Sequence, residues 1–279
     1  MNPAPLVSLV IPARNPRFFR AALVSALAQN YENLEVIVSD EGLGDEIKAI
    51  TDELEPLARC PLYYQRNPQP LGFAGNLLAG LALARGEYIK FLCDDDRLLA
   101  DCVTSQVRLY DANPDASLVT TRRHLVDSED FALSQRLENS WFSWGDTLHH
   151  GNDLLDFFES NPLNFIGNFS STLMRSSDVN ELLPALTQAG FSTLLDFALF
   201  VCLLRRGHLA VTAQAQCLER IHAGQMRQQD GLKAARAAEL QWLREMFAAR
   251  PSATETFAGW VRIQILPVDG GKCEREWEN

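Results

Sequence analysis

Positive charge is scarce in this 279-residue sequence: Lys and Arg total 25 against 36 Asp and Glu, for a formal net charge of −11. Neutralising a phosphate backbone takes clustered cations, so the balance excludes a protein whose main partner is nucleic acid. The pairs Arg122-Arg123 and Arg205-Arg206 are too short for more than a local anion contact or a solvated face. Six cysteines, at 60, 93, 102, 202, 217 and 273, show no C-x-x-C spacing. They suggest neither zinc nor a disulfide framework, and they favour a reducing cytoplasm. The amino terminus lacks a basic n-region and no apolar run approaches a spanning length, so membrane contact is expected to be peripheral at most, at the inner face. Gly42-Leu43-Gly44 lacks the third glycine of a dinucleotide fingerprint, and there is no Gly-Lys-Ser/Thr phosphate loop and no His-Glu-x-x-His. Repeats and low-complexity tracts are missing too.

What remains is an ordinary globular composition, 47% hydrophobic and 22% charged, in a chain long enough for one generous α/β domain or two halves sharing a cleft. Leu6 to Ile11 is a continuous apolar run ending at Pro12, the pattern of a strand buried on both faces. Asn15 can cap the helix that follows, with Pro16 at its first position and Phe18/Phe19, Ala22/Leu23 and Ala26/Leu27 recurring at four-residue intervals. The unit repeats: a strand at Leu34 to Ser39, a helix at Asp45 to Leu57, a strand at Leu62 to Gln65, a helix from Phe73 to Arg85 stopped by Gly86, and a strand at Tyr88 to Leu92. Alternating βα units predict an open parallel sheet with helices on both faces and ligands at the carboxyl ends of its strands.

A further strand is expected at Ala116 to Thr121, then a polar and aromatic loop region from Asp127 to Asn152 that carries Trp141, Phe142 and Trp144. Those rings suit either stacking on a sugar face or simple packing. The second half resumes at Leu154, with a helix from Thr193 to Arg206 and a strand around His208 to Thr212. A final helix is expected from Leu232 to Arg250, with Ala235, Trp242, Leu243, Met246 and Phe247 on one side for packing against the core. One possible strand, Val261 to Leu266, lies in the tail. Residues 1–125, 126–230 and 231–279 are thus expected to form a nucleotide-binding half, an acceptor-binding half and a C-terminal helix with its tail.

The strand ends carry Pro12-Ala13-Arg14-Asn15, Asp40-Glu41-Gly42 and Cys93-Asp94-Asp95-Asp96. Two of these three clusters are acidic. A carboxylate-lined cleft repels a bare diphosphate, so an anionic nucleotide would need a divalent cation in between. Three consecutive aspartates repel one another, and a bound cation removes that cost. Hard carboxylate oxygens suit magnesium or manganese. The alternative is a solvated acidic turn that caps a helix starting near Leu98.

The runs Val7 to Asn15, Glu35 to Gly42 and Gly86 to Asp96, in this order and spacing, resemble the inverting GT-A-type glycosyltransferases of the large family-two group over roughly the first two thirds of the chain. The resemblance implies an α/β fold with a Rossmann-type, mostly parallel sheet flanked by helices, a nucleoside-diphosphate sugar donor (UDP-linked by preference), a Mn2+ or Mg2+ cofactor, and a hydroxyl of a glycan, lipid-linked glycan or protein as acceptor. It places the base and ribose against Pro12, Ala13, Arg14, Asn15, Asp40 and Glu41, the ribose also at Asp94, and the metal on Asp95 followed by Asp96. Gly72 and Asn76 fall where the family approaches the donor closely, and Gly167 where a small residue lets a sugar reach the cleft floor. Asp196 occupies the place of the general base, although a helix cap or first-turn acid is the plainer reading of it. His222, in Arg220-Ile221-His222, would contact the metal or the leaving diphosphate, or else is an ordinary hydrogen-bonded histidine. The chain departs from the family at Cys93, Gly75, Glu41 and Leu195, where Asp, Arg, Asp and an acidic residue are usual. Two rival readings are a non-catalytic sugar-nucleotide or glycan-binding domain and a nucleotidyltransferase, which would need a basic phosphate-gripping loop.

Overall fold

The computed structural model describes residues 4–133, 146–225 and 232–248. Trp141, Phe142, Trp144 and the strand expected at Val261 to Leu266 lie outside them. Strand β1 (Val7–Ala13) leads through the Asn15 cap into α1 (Pro16–Leu27), where the Asn15 side chain accepts from the Arg17 amide at 3.0 Å. β2 (Leu34–Asp40), α2 (Glu46–Leu54), β3 (Leu62–Arg66), α3 (Gly72–Leu81) and β4 (Tyr88–Phe91) follow in the expected alternation. After the acidic turn come a two-residue strand β5 (Arg97–Leu98), α4 (Cys102–Ala112) and β6 (Ala116–Val126). The second half adds β7 (Thr147–His149), α5 (Gly151–Ser160), β8 (Thr172–Arg175), α6 (Ser176–Gln188), α7 (Leu195–Leu204), β9 (His208–Arg220) and α8 (Lys233–Ala248).

The strands form one sheet in the order β3-β2-β1-β4-β8-β6-β9-β5, with β7 also on β9. Its first four strands are parallel, as the βα alternation requires. The sheet is mostly parallel, as the sequence implies: β8 runs antiparallel between β4 and β6, and the short β5 and β7 run antiparallel to β9, while β6 and β9 pair in parallel. Period-two alternation along β1 sends Leu9 and Ile11 to one face and Val10 to the other, so the sheet separates two cores. Phe19 of α1, Ile47 of α2 and Tyr110 of α4 cover the first face. Leu77 of α3, Leu155 of α5, Leu183 of α6, the buried α7 and Leu243 of α8 cover the second.

Three local expectations need correction. Helix α3 ends at Leu81, and Gly86 is not its cap. Gly86 lies so close to β1 that a Cβ there would sit 2.6 Å from the Ser8 amide nitrogen and 2.8 Å from the Leu6 carbonyl oxygen. Close approach, not helix termination, is what this glycine supplies. Strand β6 continues five residues past Thr121, because a register shift against β9 keeps Arg122 to Val126 paired. In α8 the inward face carries Glu239, Leu240 and Leu243, whereas Ala235 is exposed.

Candidate active site

The carboxyl ends of β1, β2 and β4 meet at one edge of the sheet, and the β4 end is the most heavily wired. Leu92 to Asp96 leaves β4 in a turn closed by the Asp96 amide donating to the Cys93 carbonyl at 3.1 Å. Its three aspartates do different things. Asp94 Oδ2 accepts from the backbone amides of both Arg14 and Asn15 at 2.8 Å, which ties the β4 end to the β1–α1 turn. Burial and the neighbouring Asp95 charge push its carboxyl up to about 6, against the two amide bonds that favour the ionised form. Asp96 is buried and fully engaged: Oδ2 accepts from Asn168 Nδ2 and Ser170 Oγ at 2.7 Å, and Oδ1 from the Arg220 amide at 2.9 Å. Burial, then Asp95 and Glu219, hold its carboxyl well above the ordinary carboxylate range.

Asp95, partly exposed like Asp94, faces side chains rather than backbone. Its Oδ2 lies 3.0 Å from His222 Nε2 and 3.3 Å from Gln225 Nε2. His222 Nδ1 accepts from the Gly224 amide at 3.2 Å, which assigns the ring proton to Nε2 and makes the contact a donation to Asp95. The histidine packs against Phe18 at 5.1 Å, and the Arg220 guanidinium lies 4.4 Å over the same ring. Arg220 is itself buried, donating Nε to the Asp95 carbonyl, Nη1 to the Asp127 carbonyl and Nη2 to the Asp130 carboxylate. The turn is therefore held from β9 as well as from β1.

One potential ligand atom from each of Cys93, Asp95 and Asp96 lies within 4.8 Å of the others. Burial, then Asp96 and Asp95, raise the Cys93 thiol well above its ordinary value, so it stays protonated and unsuited to a hard cation. Asp96 has given both oxygens to internal donors. A magnesium or manganese ion needs only one or two carboxylates when phosphate oxygens and waters complete its shell, and Asp95 fits that demand.

The other residues that the sequence singled out surround this turn. Asp40 is buried, with Oδ1 accepting from the Gly42 amide at 2.6 Å and Oδ2 from the Tyr64 hydroxyl at 2.7 Å. Glu41 accepts from the Leu71 amide at 2.9 Å and lies 3.7 Å from Arg14 Nη1. It thereby fixes the start of α3, where Gly72 adopts φ +73 with open space where a Cβ would stand. Asn76 is buried and bridges the Ala13 carbonyl and Asn67 Nδ2. Asp40 and Asn76 thus act on the cleft by shaping the backbone at Ala13 to Gly42. Pro12 and Ala13 complete β1 beneath, and Arg14 and Asn15 are exposed.

Asp196 stands in the first turn of α7, where Oδ1 accepts from the Phe197 amide at 2.7 Å and Oδ2 from Asn164 Nδ2 at 3.3 Å. Asn164 also donates to the Gly167 carbonyl at 2.8 Å, and the next residue, Asn168, grips Asp96. One short segment therefore links the candidate base to the acidic turn. Gly167 has φ +137, and a Cβ there would collide with Ser171 and the Arg123 guanidinium.

Sequence reasoning missed Phe18, Asn168, Ser170 and Gln225, and it did not see that Arg220 is the structural member of Arg220-Ile221-His222. Asn168 and Ser170 carry no local signal, since their partner lies more than seventy residues away. Phe18 had one: of the paired aromatics in α1 only Phe19 is needed for the core.

The family described as glycosyl transferase family 2 matches residues 8–183. An uncharacterized glycosyltransferase of Rickettsia prowazekii is 30% identical over 169 residues, covering 54% of this chain and 50% of the relative. The GalNAc(5)-diNAcBac-PP-undecaprenol beta-1,3-glucosyltransferase of Campylobacter jejuni is 31% identical over 36% of this chain and 33% of its own length. The abequosyltransferase of Salmonella typhimurium is 26% identical over 54% of this chain and 45% of its own. The chain spans about half or less of the length of these curated relatives. Among solved structures, Staphylococcus aureus TarS 1–349 in complex with UDP-GlcNAc superposes with a TM-score of 0.66 at 13% identity, covering 90% of this chain and 68% of that one. That likeness is one of fold.

Proposed function

Because this chain belongs to glycosyl transferase family 2, we propose that it moves a sugar from a UDP-linked donor to a hydroxyl of a lipid-linked glycan, by single displacement with inversion. The observation that carries the reading is the division of labour in Cys93–Asp96: Asp94 braces the Arg14 and Asn15 amides, both oxygens of Asp96 accept internal donors, and Asp95 meets the side chains of His222 and Gln225 through Oδ2 alone. Base and ribose would lie along Pro12 to Asn15, Glu41 and Gly72, with the buried Asp40 and Asn76 shaping the backbone behind them. Asp94 holds the Arg14 and Asn15 amides in place for them. Asp95 would hold a manganese or magnesium ion, which neutralises the diphosphate and makes it a better leaving group. His222, held between Asp95 and Gly224, stands beside that carboxylate, where it would contact the metal or the leaving diphosphate. Asp196, across the cleft, takes the proton from the attacking hydroxyl.

The lipid-linked acceptor is suggested by the name of the Campylobacter relative, and it would place the enzyme peripherally at the inner face of a membrane. Among the described residues no helix is long and apolar enough to cross one. A panel of UDP-sugars, assayed with manganese and with chelator for thermal stabilisation and UDP release, tests the reading. At least one donor should stabilise the protein in a manganese-dependent way and lose its sugar slowly to water. Asp196→Asn should cut that release by about two to four powers of ten with donor binding kept. Recognition of no donor sinks the proposal, and binding without release points to a non-catalytic sugar-nucleotide module.

A further inference from the structure

Leu194, at the cap position of α7, has no side chain to offer the amides that open the helix; within the first turn Asp196 Oδ1 meets the Phe197 amide at 2.7 Å, and the amides of Ser192 to Leu194 lie before it. The missing acceptor arrives from α8. Glu239 is buried, and its Oε1 accepts from the Ser192 and Thr193 amides and the Ser192 hydroxyl, each at 3.1 Å. Its Oε2 accepts from the Leu194 amide at 2.6 Å, the Thr193 amide at 3.1 Å and the Thr193 hydroxyl at 3.0 Å. A carboxylate has about four acceptor positions, and this one faces five donor groups from three consecutive residues at a helix N-terminus, where negative charge is favoured. Leu240 and Leu243 anchor its helix in the core on either side of the turn. Two residues beyond Leu194 stands Asp196.

We infer that Glu239 is a positioning residue for Asp196: it fixes the first turn of α7 and so the direction in which the candidate base points. The inference rests on the proposed role of Asp196. It goes beyond the family match, which ends at residue 183 and includes neither residue. It also gives the C-terminal helix a part in the reaction rather than in packing alone. Placement to within a fraction of an ångström is what a general base requires, and a frayed first turn cannot provide it.

The test compares UDP release from the best donor of the panel, with manganese, in Glu239→Ala, Asp196→Asn, the double variant and Leu54→Ala. Glu239→Ala should lower turnover at saturating donor roughly ten- to a hundredfold and leave the manganese-dependent UDP dissociation constant within about twofold. In the Asp196→Asn background the same change should cost less than about twofold, because the group it positions is already disabled. Leu54→Ala, which cuts the core under α2 on the other face of the sheet, should lower the melting temperature and keep turnover near wild type. Backbone hydrogen exchange at residues 192–197 should rise in Glu239→Ala but not in Asp196→Asn. Equal losses from Glu239→Ala in both backgrounds, or an equal loss of turnover in Leu54→Ala, would overturn the inference while leaving Asp196 as the base. Full release by Asp196→Asn would instead overturn the base assignment, and the positioning role with it.

Discussion

Replacing Asp96 by Asn keeps the shape of the side chain but turns one acceptor oxygen into an NH2 donor. Three donors converge on the native carboxylate: Asn168 Nδ2 and Ser170 Oγ on one oxygen and the Arg220 amide on the other. Whichever way the new amide turns, at least one of them faces another donor in a buried site. A buried donor left unpaired costs about 1–3 kcal/mol. At ~2–4 °C per kcal/mol for a domain of this size class, Asp96→Asn should melt roughly 2–12 °C below wild type. Asp95→Asn has the opposite profile. Its partners His222 and Gln225 sit at the partly open mouth, and relief of repulsion with Asp94 and Asp96 offsets their weakening, so stability should stay within about 0.5 kcal/mol. Manganese-dependent stabilisation by UDP should vanish in Asp95→Asn and persist in Asp96→Asn. Differential scanning fluorimetry with and without manganese and UDP reads both effects. The reasoning fails if Asp96→Asn melts with wild type, or if it loses the metal response while Asp95→Asn keeps it.

Away from the cleft, Glu35 is buried. Desolvation raises its carboxyl, but the Ser8 hydroxyl at 2.5 Å, the Arg85 amide at 2.8 Å and the Arg85 guanidinium prevail and hold it below the ordinary glutamate value. The unfolded chain therefore takes up a proton before the folded one as pH falls, so the stabilisation is complete above the ordinary value and is lost on acidification through the lower folded value. Urea midpoints of wild type and Glu35→Gln should converge as pH drops through that window, and a gap independent of pH would contradict the assignment. Gly86→Ala should cost about 1–3 kcal/mol, since its Cβ would meet the backbone of Leu6 and Ser8 rather than a movable side-chain tip. An alanine variant as stable as wild type would show that β1 and the α3–β4 turn can separate freely.

The βα alternation was legible because the information is local. Asn15 and Pro16 mark the start of α1 within two residues, and the apolar runs of β1, β2 and β4 need no partner to be read. The acidic turn could be read as a site for the same reason, but not how its members divide their work. Asp94 serves β1 only because β1 and β4 are neighbours, and Asp96 needs Asn168 and Arg220 beside it. The insertion of β8 between β4 and β6 left no trace, since an antiparallel strand buried on both faces looks like a parallel one. Glu239 did carry a mark that pattern reading passed over: an acid four residues before Leu243, on the inward face of a helix, must have a partner somewhere.

The turn after β4 is wired to Arg220, 124 residues further along the chain, and that span sets a sequence of events. During synthesis β1 to β4 can pair early, since each lies within a short crossover of the last, and Asp94 can then reach β1, but Asp96 must wait for β9 to emerge. Closing so long a loop costs more chain entropy than any of the short crossovers before it. A fragment ending before β9 would hold β1 to β4 yet leave Asp96 without its Arg220 tether, so the acidic turn should reach its final geometry only once β9 is in place.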